Sequence, residues 1–336
     1  MGRSLPLRPS MSFARQALSM LSLLALASGV SASAESSLTS VGSSLPARLY
    51  RNWFAQMASS GGPEVSYRSV GSASAQWALI RQTVDFAVSD APMQPKDLAK
   101  VRRGVVQIPI AGSAIAFGYN QPGCDLKLTQ QQAVQLASGR ITDWKQLGCE
   151  PGSLTWVYRS DVSGITDAFT QSMQAFSSQW PLGTGASIRW PADHAIAAEG
   201  NSGVAEAIEN RRGAIGYLGL SHLSGRVRAA ALQNKAGEFQ RPSLISAAKT
   251  LKAIELDFNL AGSSPNPSVE GAYPIVTLIW VLAYRSGNGD NTPAIRAALD
   301  FMLSSQAQSQ VAELGLIPLE TEIVSKSRPV VERIAQ

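Results

Sequence analysis

The 336-residue sequence predicts an α/β protein with mainly parallel sheets, and three observations carry that prediction. From residue 35 onward, short β-branched or aromatic runs alternate with stretches of helical periodicity, the order that results when helices return the chain between strands. Small polar residues stand between strand-like and helix-like segments, as tight strand-to-helix connections require. The composition is 45% apolar and 16% charged, enough apolar surface to bury a sizeable core.

In chain order, the first 34 residues read as a secretory signal peptide rather than as part of the fold. Arg3, Arg8 and Arg15 form a basic start, residues 17–30 are apolar, and Ala32-Ser33-Ala34 supplies the small residues of a cleavage site. The apolar stretch is too short for a membrane anchor, and no cysteine near it invites lipidation. A soluble exported protein starting near Glu35, outside the cytoplasm, is expected. Removing the three arginines leaves 26 basic against 24 acidic residues, so the net charge falls from +5 to +2. Spread along the chain, that surplus gives no footprint for nucleic acid.

Leu49, Trp53 and Met57 then share one helical face, and Val70 and residues 84–88 read as strands. Residues 105–110, 114–119, 156–158, 215–218 and 275–284 are further strands. Ile165, Phe169, Met173 and Phe176 mark a second helix, and residues 294–303 a third that continues over 306–314. Residues 261–267, rich in Gly, Ser and Pro, predict a long surface loop. Trp53, Trp77, Trp180 and Trp190 are expected to pack inside.

Two cysteines, Cys124 and Cys149, predict a disulfide in an oxidising compartment. Such a bridge stabilises by roughly 3–4 kcal/mol. The two histidines, His194 and His222, have no metal-ligand spacing to the cysteines and flank loop-like sequence without a paired carboxylate motif, so neither a metal, a cofactor nor a Cys–His nucleophile is expected.

Three segments place small polar residues just before an amphipathic helix: Gly42-Ser43-Ser44-Leu45-Pro46, Gly71-Ser72-Ala73-Ser74, and Arg159-Ser160-Asp161-Val162-Ser163-Gly164. In the first, Ser44 reads as an N-cap. A helix start offers free N–H groups and partial positive charge, a natural seat for an anion. Taken singly, each reads as ordinary capping; Asp90 alone reads as a turn aspartate, and Arg159 as a surface arginine paired with Asp161.

Together these stretches resemble the periplasmic phosphate-binding proteins of high-affinity phosphate ABC transporters. The matching stretches cover residues 42–53 (GSSLPARLYRNW), 71–92 (GSASAQWALIRQTVDFAVSDAP), 156–169 (WVYRSDVSGITDAF), 183–191 (GTGASIRWP) and 200–217 (GNSGVAEAIENRRGAIGY). The resemblance implies a two-lobed periplasmic-binding-protein (type II) architecture with a hinge and an interlobe ligand cleft. It places residues 35–112 and 258–336 in lobe 1 and residues 113–257 in lobe 2. It also implies a phosphate site in which the Ser44 hydroxyl, the Leu45 N–H, Ser72, Ser163, and the Gly164 and Ile165 N–H groups donate to the anion. Arg159, oriented by Asp161, is the charged donor and Asp90 the acceptor. A membrane permease is the implied partner and the protein is expected to be monomeric.

The family pattern D-G-S-G-T is here Asp161-Val162-Ser163-Gly164-Ile165. Ile165 removes a hydroxyl, worth about 1.5–3 kcal/mol toward a charged ligand if nothing replaces it. Thr166 replaces it only if the helix start shifts, and Val162 restricts a turn built for glycine. Asp90 demands a ligand proton, which phosphate carries near neutral pH and sulfate lacks. A binder of another tetrahedral oxyanion is the alternative, and a secreted phosphate-ester hydrolase a weaker one. The sequence contains neither G-x-S-x-G nor H-E-x-x-H, and Ser246-Ala247-Ala248-Lys249 lacks the companions of S-x-x-K, so no enzyme is expected.

Overall fold

The computed structural model describes residues 37–336, and the signal-peptide expectation lies outside the described residues. In chain order the strands are β1 (Ser37–Gly42), β2 (Glu64–Ser69), β3 (Phe86–Ser89), β4 (Val105–Asn120), β5 (Lys127–Leu128) and β6 (Thr155–Arg159). They continue with β7 (Ala195–Ala198), β8 (Ala214–Gly219), β9 (Arg228–Ala229), β10 (Ala231–Gln233), β11 (Phe239–Gln240) and β12 (Val276–Tyr284). The helices are α1 (Ala47–Ser59), α2 (Ser72–Ile80), α3 (Pro95–Leu98), α4 (Gln130–Ala137) and α5 (Gly164–Phe176). They are followed by α6 (Gly200–Glu209), α7 (Leu244–Lys252), α8 (Thr292–Met302), α9 (Ser305–Val311) and α10 (Thr321–Glu332).

Strand β4 is the spine. All sixteen of its residues are buried, so it carries no alternating pattern. Its first part, to Ala114, pairs with β12, and its last six residues, from Ile115, pair with β8. The large sheet therefore runs β2-β1-β3-β12-β4-β8-β6-β7, with one half on each side of β4, and a small sheet β11-β10-β5 stands apart. The two strands expected at 105–110 and 114–119 are one. Proline at 109 removes an N–H from the ladder, and the register shifts between Ile279 and Trp280 opposite it; a bulge at that point lets the strand continue.

The flanks are parallel as expected: β1 pairs with β2 and β3, and β6 with β7 and β8. The middle is antiparallel, because β12 runs against both β3 and β4, and β4 against β8. This corrects the expectation of mainly parallel sheets. The parallel flanks matter most for function, since they send β1, β3 and β6 toward the same cleft, where their carboxyl ends feed helices or turns.

The predicted helical faces are inward. Leu49, Trp53 and Met57 of α1 are buried, as are Ile165, Phe169 and Met173 of α5. Beneath α5, Phe169 stacks on Tyr217 with ring centroids 4.3 Å apart, and Trp156 and Trp190 close the cluster. Trp53, Trp180 and Trp190 are buried as expected, whereas Trp77 is 51% exposed. Arg81 and Lys100 lie over its ring at 5.9 and 5.3 Å, which shields the indole from water without burying it. The C-terminal helix expected to run on past residue 303 breaks between Met302 and Ser305, where Ser304 caps α9. Residues 261–267 form no helix or strand, as expected. Cys124 and Cys149 are joined, with Cα atoms 5.4 Å apart.

Candidate functional site

Ser72, Asp90, Arg159 and Ser163 come from three separate segments, the last two from the single turn between β6 and α5, and are all buried. The turn after β3 presents Asp90, whose N–H donates to Ser72 Oγ at 3.1 Å at the start of α2. Thr277 of β12 donates to the Asp90 carbonyl at 2.6 Å, which fixes the turn against the central sheet. The Asp90 side chain accepts from the Ser43 hydroxyl through Oδ2, while Oδ1 is buried without a partner.

Arg159 closes β6. Its Nε donates to Asp161 Oδ1 at 2.7 Å and its Nη2 to Asp161 Oδ2. The Asp161 Oδ1 also accepts from the Gly200 N–H at 3.0 Å. Arg159 Nη1 is buried and unpartnered. The forked pair thus spends one edge of the guanidinium on Asp161 and leaves the other edge free. A buried carboxylate oxygen and a buried guanidinium nitrogen, both unsatisfied, together mark a place built for a ligand with an acceptor and a proton to offer.

Electrostatics agree with the geometry. Burial pushes the Asp90 carboxyl up to about 7, against the pull of the Ser43 hydrogen bond and the Arg159 charge, with Asp161 adding to the rise. Burial pushes Asp161 up too, but the Arg159 hydrogen bond and charge and the Gly200 N–H outweigh it and hold the carboxyl below its usual range. Asp161 therefore stays ionised to anchor Arg159, while Asp90 is poised to exchange a proton near neutrality.

At the third helix start, Ser163 caps α5 and its Oγ accepts the Ile165 N–H at 3.1 Å. Val162 does not adopt a left-handed backbone, so the expected restriction at this turn carries no strain. Its carbonyl instead accepts the Ala73 N–H across the cleft at 3.4 Å. Ile165 is fully buried, and Thr166 is turned away: its hydroxyl lies 2.8 Å from the Tyr217 hydroxyl, which also accepts the Arg159 N–H. Thr166 therefore does not supply the hydroxyl that Ile165 lacks. Gly164 abuts the opposite wall, where an added Cβ would stand 2.7 Å from the Asp90 carbonyl carbon and 2.8 Å from the Ala91 nitrogen. The cleft is closed.

The first helix start differs from the expectation. Ser44 caps no helix, since α1 begins at Ala47 after Pro46 without a side-chain cap. The Leu45 N–H donates to Ser43 Oγ at 3.0 Å, and Ser44 Oγ is held by Asn201. Ser43 and Asn201 were not singled out from sequence. Ser43 sits in a pair of adjacent serines that sequence alone does not distinguish, and Asn201 lies in the matched stretch 200–217, whose G-N-S-G-V was the available signal. His222, also unassigned, is pushed down to about 4 by burial and by the charges of Arg159 and Arg48, so it is neutral near the Ser44 backbone. Among the described residues no group of three His, Cys, Asp or Glu could hold a metal ion.

The profile of the PBP superfamily domain matches residues 29–306. The phosphate-binding protein PstS of Xylella fastidiosa is 29% identical over 311 residues, covering 86% of this chain and 83% of the relative. PstS of Haemophilus influenzae is 29% identical over 308 residues, covering 86% and 90%. In structure, the chain resembles a high affinity periplasmic phosphate-binding protein (PfluDING) bound with phosphate, at a TM-score of 0.75 and 20% identity over 87% of this chain and 93% of the other. It also resembles the phosphate-binding protein of Stenotrophomonas maltophilia, at a TM-score of 0.74 and 21% identity over 88% and 93%.

Proposed function

This chain belongs to the PBP superfamily, and on that premise we propose that it binds inorganic phosphate outside the cytoplasmic membrane and delivers it to an ABC transporter for uptake. The observation that carries the proposal is the orphaned pair, Asp90 Oδ1 and Arg159 Nη1, buried in a closed cleft. A phosphate near neutral pH satisfies both at once, donating its proton to Asp90 and accepting from Arg159. Sulfate satisfies Arg159 but leaves two acceptors facing each other at Asp90, a heavily penalised arrangement away from water.

Ser44, Ser72 and Ser163 are the proposed neutral donors, together with the N–H groups of Leu45, Gly164 and Ile165; those of Leu45 and Ile165 are bonded to Ser43 Oγ and Ser163 Oγ and exchange that partner for the anion. Neutral donors distribute the charge of the anion without an excess of cations. The protein acts as a binding protein rather than an enzyme, as the PstS names of its relatives support. The permease of the transporter is the proposed partner, an exported periplasmic location the proposed site of action, and a monomer the proposed working form. The proposed lobes, residues 35–112 with 258–336 and residues 113–257, meet where β4 exchanges its partner β12 for β8. That junction is the proposed hinge.

Titration calorimetry tests the proposal. Tight binding of phosphate is expected, with sulfate at least about a hundredfold weaker. Comparable affinity for the two anions overturns the role of Asp90 and moves the chain to the wider class of oxyanion binders.

A further inference from the structure

We infer that Asn201 is a positioning residue that fastens the closed cleft and aims the Ser44 hydroxyl at the bound anion; this rests on the phosphate-binding reading above. Asn201 is fully buried in the first turn of α6. Its backbone N–H donates to Ser44 Oγ at 3.0 Å and its Nδ2 donates to the same oxygen at 3.1 Å. Its Oδ1 accepts the Gly219 N–H at 2.8 Å, at the end of β8. That last bond fixes the amide. With the oxygen committed to Gly219, the group facing Ser44 is the NH2.

Ser44 Oγ therefore accepts two hydrogen bonds from α6, and its own hydrogen is left to donate elsewhere. A hydroxyl so constrained is a dedicated donor, the polarity an anion requires. The same helical turn holds Asp161 through the Gly200 N–H, and Asp161 holds Arg159. One turn of α6 thus governs both a neutral donor and the charged donor of the site.

The contact also joins the two halves of the large sheet. Ser44 follows β1, Asn201 opens a helix packed on β6 and β8, and 157 residues separate them. On the outer side, Ser44, Gly71, Asp161, Gly200 and His222 border an open cleft of about 490 Å³. Breaking the Ser44–Asn201 contact opens the anion seat toward that cleft, so the bond controls escape more than capture.

The test is stopped-flow tryptophan fluorescence with inorganic phosphate on the mature protein. For Asn201→Ala, koff rises about tenfold with kon within about twofold of wild type. Asn201→Asp keeps the acceptor for Gly219 and so preserves the local fold, but its carboxylate draws the Ser44 hydrogen back to α6. Affinity for phosphate then falls by about a hundredfold. In a Ser44→Ala background, Asn201→Ala has no further effect on koff, as expected when both changes remove one interaction. Wild-type koff in Asn201→Ala, or the same rise with and without Ser44, overturns the inference and assigns Asn201 to Gly219 alone. A wild-type protein that does not bind phosphate overturns the phosphate reading, and the inference with it.

Discussion

Asp90 carries the strongest residue-scale consequence, because its folded value near 7 lies above the ordinary 3.8. A carboxyl raised by folding binds more protons in the native state than in the unfolded chain. Its contribution to stability is full below about pH 4 and is lost as pH rises toward 7. Without phosphate, melting temperature should fall across that window, and Asp90→Asn should flatten the slope. An unchanged slope would place the titration elsewhere. The same variant replaces an acceptor with an amide that donates, so the phosphate–sulfate gap measured by calorimetry should narrow by at least about tenfold. In sequence, Ser72, Asp90, Arg159 and Ser163 each carry an ordinary reading alone, and only the resemblance of their stretches joins them into one site. Ser43 is not legible there, because its bond to Asp90 exists only after β1 and β3 pair side by side.

At the scale of elements, the start of α5 decides whether the cleft shuts. Gly164 lies against the Asp90–Ala91 peptide so closely that a methyl group cannot enter without separating the walls. Gly164→Ala is tolerated by an α-helix, so the variant should still fold, with the walls of the cleft held apart. The closed state alone is overpacked, at about 1–3 kcal/mol, and phosphate affinity should drop by roughly ten- to a hundredfold. Small-angle scattering should show a wider liganded particle, and wild-type affinity in this variant would mean that closure does not bring these walls together. Elements were read unevenly for physical reasons. The faces of α1 and α5 show helical periodicity because one side meets solvent, and that periodicity predicts them. Strand β4 is buried throughout, shows no alternation and contains Pro109, so its sequence predicts two strands where the bulge opposite β12 makes one.

The molecule as a whole separates the parts that hold it together from the part that binds. The disulfide joins Cys124 to Cys149, closing a span of 25 residues. Around it, the Tyr119 hydroxyl donates to the Cys124 carbonyl at 2.9 Å, and Trp144 packs against Tyr119. Neither cysteine nor these neighbours touches the residues around Asp90 and Arg159 through any hydrogen bond. A span of that length gives about 3–4 kcal/mol of stabilisation by restricting the unfolded chain. For a protein of this size that corresponds to roughly 5–10 °C in melting temperature. The double variant Cys124→Ser, Cys149→Ser should therefore melt lower by about that amount while binding phosphate within about twofold of wild type. A ligand that binds the native state alone stabilises it in proportion to the logarithm of concentration over Kd. Saturating phosphate should then raise the melting temperatures of wild type and double variant by nearly the same interval, and equal sulfate should raise both by much less. A double variant that loses both stability and phosphate affinity would show that the bridge supports the cleft itself, coupling two regions that the fold keeps apart.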